Sequence, residues 1–187
     1  MPTPVPWDWA KPRLMPLLAG PYLGPDNLVT DVAPVGCAIS FGILIGRTHV
    51  LLDDVVMERW ECSLAQVASV AQANLDRRAE RLSPADVRRG VLAGHVVRRV
   101  DCVAWASSLI LGPDHLVRLF GGGDQVLAVP RRDLLLSLPP DMPSTLAADI
   151  VADFEADSAF PLLLEPFGLL DGRLVWGGAS EEPGGDW

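Results

Sequence analysis

Two guanidiniums and a carboxylate, Arg131–Arg132–Asp133, separate the apolar runs "QVLAV" and "LLLSL". Paired arginines on a rigid turn can hold a carboxylate or a phosphate through bidentate hydrogen bonds. These residues are the best anion-site candidate in the chain, and a plain polar hairpin turn is the competing reading. His115, next to Asp114 at the start of an amphipathic stretch, would join them if the fold brought that stretch to the turn.

Other chemistry-bearing residues are weaker candidates. His49, His95 and His115 are the only histidines and form no HxxxH or HExxH pattern. A metal centre would need two or three of them to converge with a carboxylate, so no metal and no cofactor is expected. Ser107–Ser108 lack the GxSxG of a nucleophile elbow and read as a cap or turn. Cys37, Cys62 and Cys102 are widely spaced and form no CxxC. Neither a disulfide framework nor a zinc site follows from them, and Cys102 reads as a core thiol within a strand. Asp53 and Asp54 read as helix caps, and Asp149 with Asp153 as one solvated helix face.

The glycines of "GGGDQVLAVP" follow a helix and precede a strand. A phosphate loop has the opposite order, strand then helix. Gly121–Gly123 therefore read as a helix stop. No signature in the chain assigns a reaction, and whether the protein is an enzyme is left open.

A second concentration of charge is basic. Arg77, Arg78, Arg81, Arg88, Arg89, Arg98 and Arg99 are seven of the fifteen Lys and Arg residues. They form a partner surface or the counter-charge to the acidic helices. The net charge of −9 opposes nonspecific binding to nucleic acid or anionic lipid. Few aromatics lie near these arginines for base stacking.

The elements that must position these groups follow from pattern. Eight prolines fall in residues 1–36, a density that breaks long helices and excludes central strands. That stretch reads as a Pro-rich N-terminal arm whose aromatics, Trp7, Trp9 and Tyr22, dock on the domain or on a partner. Residues 36–46 and 47–54 read as two strands joined near Gly46. A short helix capped by Asp53 or Asp54 follows, then a long helix opened by Ser63. Ser83 and Pro84 mark another short helix. Residues 95–107 read as a strand, and a helix starts near Pro113. "QVLAV" and "LLLSL" form a hairpin. A helix capped by Ser144 or Thr145 and a final strand "GRLVWG" complete the pattern. The expected organisation is an arm (1–36), an α+β domain (37–178) and a flexible tail (179–187). The fold class is α+β, a single domain with a mixed or mainly antiparallel sheet and about four helices.

Three stretches in order, "THVLLDDVVMERWECSLAQVASVAQANL", "DQVLAVPRRDLLLSLP" and a helix leading to "GLLDGRLVWG", resemble the uncharacterised bacterial DUF1444 (YtpQ-like) family over roughly residues 38–178. The Pro-rich start lies outside the resemblance, which implies no catalytic residue.

No signal peptide and no run long enough to span a membrane is read from the sequence, and reduced thiols suit the cytoplasm. The leading expectation is a noncatalytic interaction or regulatory module with a protein partner or a second copy of itself. The alternatives are a binder of an anionic small molecule, or an enzyme, using Arg131 and Arg132, and a nucleic-acid binder through residues 77–99.

Overall fold

The computed structural model describes residues 5–20, 28–33, 37–158 and 161–176. The expected tail (179–187) and Tyr22 lie outside them. The fold is α+β, and its strands form two antiparallel sheets rather than one. The first holds β1 (Leu14–Leu18), β2 (Thr30–Val32), β3 (Ala38–Ile45) and β4 (Thr48–Leu51), with β3 at its centre. A one-turn helix α1 (Trp7–Ala10) precedes it.

Strand β1 lies inside the Pro-rich stretch, and all five of its residues, "LMPLL", are buried. Pro16 is tolerated for a reason of parity. The Ala19 N–H donates to Ala38 O on the β3 side at 2.9 Å. Polar groups alternate sides along a strand, so Leu17 and Met15 also face β3, while Pro16 faces away. The N–H that proline lacks is one the ladder would not use. The outward carbonyls are satisfied by side chains. Asn74 Nδ2 donates to Leu14 O at 3.0 Å and to Lys11 O at 2.7 Å, and Ser108 Oγ donates to Pro16 O at 2.8 Å. At the end of the strand Gly20 passes against Leu162, where a Cβ would stand 2.5 Å from the Leu162 carbonyl oxygen.

Helix α2 (Asp54–Trp60) begins where Asp53 accepts from the Val56 N–H. Helix α3 (Leu64–Ala79) begins with a reciprocal capping box between Ser63 and Gln66. It buries Val67, Ala71, Asn74, Leu75 and Ala79 at helical spacing and packs along β1.

The second sheet holds β5 (Arg88–Leu92), β6 (His95–Val100), β7 (Gln125–Arg131), β8 (Leu134–Leu138), β9 (Phe167–Leu170) and β10 (Arg173–Trp176), in the order β10-β9-β7-β8-β6-β5. Helix α4 (Pro113–Phe120) ends at Gly121 with φ +93°, so the glycine run is the expected helix stop. Helix α5 (Ser144–Ala156) covers β7 and β8. The opposite face joins the main core of β1, β3, α3 and α4.

Three local expectations are corrected. Ser83 and Pro84 open only one 3-10 turn, after which β5 begins. Gly90 and the β-branched Val91 weaken a helix there, and Ala93 with Gly94, both at positive φ, close a two-residue hairpin. The strand from His95 stops at Val100, and residues 106–111 coil into a buried 3-10 helix. Neither Ser144 nor Thr145 caps α5, whose N-cap position is Pro143 without a side-chain bond.

Removing a side chain that satisfies β1 leaves a buried carbonyl unpaired, which costs about 1–3 kcal/mol per group. Asn74→Ala is expected to lower unfolding free energy by about 2–3 kcal/mol and Ser108→Ala by about 1–3 kcal/mol. Ser69→Ala, on the exposed face of α3, should stay within about 0.5 kcal/mol. Urea denaturation followed by circular dichroism checks this. A shift for Ser69 as large as that for Asn74 would contradict it.

Candidate functional site

The hairpin that joins β7 to β8 does not present its two arginines alike. Arg131 Nε lies 2.9 Å from Asp133 Oδ1, so this pair is internally neutralised. Arg132 has its main-chain carbonyl fixed by the Ser107 N–H at 3.1 Å. Its guanidinium is half-buried, and burial pulls its pKa below the ordinary value. No hydrogen bond or ion pair of that side chain is found among the described residues.

His115 is engaged elsewhere. Its Nε2 lies 3.2 Å from Asp76 Oδ1 on α3, and Gln72 Nε2 donates to the same oxygen at 3.1 Å. No described contact joins His115 to Arg131 or Arg132, so the structure does not bring the expected set together.

A different histidine carries a buried, unpartnered nitrogen. His49 stands on β4 opposite Leu44 and shares a sheet face with Gly42, whose added Cβ would lie 3.5 Å from its own. The His49 Nε2 is shielded from solvent and has no hydrogen-bond partner. Burial, then the charges of Arg132 and Arg78, lower its pKa to about 4. Arg78, near the end of α3, donates to Pro12 O at 3.4 Å. Burial lowers its pKa, followed by the like charges of Arg81, Arg77 and Arg13.

The basic region of residues 77–99 divides in two. Arg77, Arg78 and Arg81 belong with the end of α3. Arg88, Arg89, Arg98 and Arg99 sit on the β5–β6 hairpin as cross-strand pairs Arg88↔Arg99 and Arg89↔Arg98. Arg88 and Arg99 share Asp101, at 3.3 and 3.2 Å, and Arg98 donates to the Phe120 carbonyl. Every residue of β5 is exposed, with Val91 72%, Leu92 46% and Val96 of β6 49% accessible. β5 is also the edge of its sheet.

Trp7 packs against Trp60 at 5.2 Å between ring centroids, and the Trp60 indole donates to Val5 O at 2.8 Å. Trp9 is partly exposed and carries the Arg13 guanidinium 4.2 Å above its ring. Trp7, Trp60, Val5, Ile43, Val50 and Val56 line an apolar groove of about 600 Å³.

The remaining polar candidates have structural surroundings. Asp53 caps α2, and Asp149 and Asp153 are exposed on α5. Ser107 and Ser108 are buried. Cys102 is not a core thiol: it sits exposed in the bend after β6. Residual desolvation and the carboxylates of Asp86 and Asp101 raise its thiol pKa, against thiolate chemistry. Among the described residues no three His, Cys, Asp or Glu side chains converge as metal ligands. None of the helices they form is long and apolar enough to cross a membrane.

Sequence reasoning selected the arginines by type but missed His49. The position of His49 is set by strand pairing opposite Leu44, which no local spacing signals. No family model, no curated protein and no solved structure matches the chain. The resemblance to the DUF1444 family therefore rests on the three quoted stretches alone.

The His49 pKa sets a sign for acid stability. Its folded value near 4 lies below its ordinary value near 6.5, so the unfolded chain takes the proton first. Stability from neutral His49 is complete above about pH 6.5 and is lost as pH falls through about 4. With a discount for partial solvent screening this amounts to about 1–2 kcal/mol. His49→Gln should remove that part of the slope between pH 7 and 4. Urea unfolding at stepped pH checks it, and parallel slopes for the two proteins would refute it.

Proposed function

We propose that the protein is a noncatalytic interaction module of the cytoplasm that docks an acidic, extended segment of a protein partner along β5. The observation that carries this reading is the exposed edge hairpin, Arg88–Leu92 with His95–Val100. An exposed edge strand offers free backbone N–H and C=O groups to an added strand. Val91, Leu92 and Val96 supply apolar contacts beside that edge. Residues 88–99 contain four arginines and no acidic residue, in a chain of net charge −9. That contrast selects an acidic partner and repels another copy of the same basic hairpin. The noncatalytic part draws support from His115 and Arg131, each of which is already held by a carboxylate of its own chain.

Chemical cross-linking in cell extract, followed by mass spectrometry, tests the reading. The wild-type chain is expected to capture one stoichiometric partner whose linked peptide is acidic and maps to the β5–β6 hairpin. The variant Val91→Asp should lose at least nine-tenths of that capture while keeping its melting temperature, because the Val91 side chain is 72% accessible. Undiminished capture by the variant, or links that map elsewhere, would reject β5 as the docking edge.

A further inference from the structure

The apolar groove beside Trp60 is an unfilled piece of core. Four of the seven residues of α2 are large and apolar, Val55, Val56, Met57 and Trp60, yet none of the seven is buried. The groove is lined from three sides. Ile43 and Val50, paired across β3 and β4, supply one side. Val56 and Trp60 of α2 supply a second, and Val5 with Trp7 a third. The last two sides are fixed to each other, because the Trp7 and Trp60 rings meet at 5.2 Å and Trp60 Nε1 donates to Val5 O at 2.8 Å. Val50 is still 50% accessible and Val5 38%. A concave space of about 600 Å³ with apolar walls has the size and character of a small-molecule site.

Charge around the groove is sorted by the helix. Val56, Arg59 and Trp60, at i, i+3 and i+4, share one face of α2, and all three line the groove. Asp54 and Glu58, four residues apart, share the opposite face. Arg59 is thus the one charged side chain that lines the groove among the described residues. It is exposed, and no hydrogen bond or ion pair of its side chain is found among them. A guanidinium with no carboxylate beside it favours an anion and disfavours a cation.

We propose that this groove binds an amphipathic monocarboxylate, with an apolar body against Trp7, Trp60 and Val50 and its acid group on Arg59. The planar fork of the guanidinium matches a carboxylate through two parallel hydrogen bonds. An aliphatic chain and a fused ring share this chemistry, an apolar body with a single acid at one end. The site is independent of the β5 edge, because none of its lining residues belongs to the β5–β6 hairpin.

Isothermal titration calorimetry of the full chain with octanoate, hexanoate, octanamide and naphthoate tests the proposal. Octanoate is expected to bind once per chain, about tenfold tighter than hexanoate, because two more methylenes leave water. It should bind about fivefold or more tighter than the uncharged octanamide, through its charge-assisted bonds. Arg59→Gln should abolish that preference for acid over amide. Arg47→Gln makes the same change of charge in the exposed turn between β3 and β4, outside the groove. It should alter octanoate binding less than about twofold. Proton–nitrogen spectra place the ligand. The indole resonances of Trp7 and Trp60 should shift, while that of Trp105, buried in the main core, stays fixed and reports in each variant that the fold is kept. Tighter binding of naphthoate than of octanoate assigns the site to aromatic acids, and the reverse order assigns it to aliphatic ones. Failure of both acids to saturate the chain would overturn the site. So would equal affinity for octanoate and octanamide, or equal losses in Arg59→Gln and Arg47→Gln.

Discussion

A buried strand edge must find a hydrogen-bond partner for every carbonyl it turns outward, and β1 imposes that demand on the rest of this fold. An unpaired buried carbonyl costs as much as several favourable contacts return. Here Asn74 and Ser108 meet the demand from two different parts of the chain. Helix α3 is thereby fixed along the strand, and so is the 3-10 helix of residues 106–111. The next link follows from adjacency. Ser108 binds the first sheet through Pro16, while the N–H of its neighbour Ser107 binds the Arg132 carbonyl of the second sheet. Two consecutive buried serines thus link the sheets, one through its hydroxyl and one through its main-chain N–H.

That linkage also determines where the charges end up. The β7–β8 turn docks on the 3-10 helix instead of projecting into solvent, so Arg132 is drawn into a half-buried position while Arg131 remains free to pair with Asp133. The residue C-terminal to Asn74 by four positions, Arg78, is carried to the Pro12 end of β1 by the same helix face that satisfies the strand. The placement of Arg78 against Pro12 is thus a consequence of how the edge of β1 is covered.

Local patterns in the sequence foretold the elements that local forces decide. The start of α3 at Ser63, the cap of α2 at Asp53 or Asp54, the helix stop at Gly121 and the hairpin around Arg131 and Arg132 all lie where residue type and short-range spacing put them. Strand β1 escaped because a proline rule was applied without strand parity, and parity depends on a partner 25 residues away (Pro16 opposite Phe41). Strand β5 escaped because Ser83–Pro84 is a sound helix start that Gly90 and Val91 then deny. Within the site, the arginines were legible as types. Which of the two is neutralised was not, since that depends on the conformation of one turn. His49 was not legible at all, since strand pairing and sheet packing place it.

The two basic features of this acidic chain differ in dielectric surroundings, and that difference separates what each can do. Arg88 and Arg89 lie in water on an open hairpin, where screening over about 8 Å at physiological ionic strength limits them to steering and orientation. Affinity at that edge must come from backbone pairing and from Val91, Leu92 and Val96. Arg132 is half-buried, so the same unit charge acts through a lower effective dielectric and is worth more at equal distance. An exposed arginine loses little when it has no partner. A half-buried one such as Arg132 loses more.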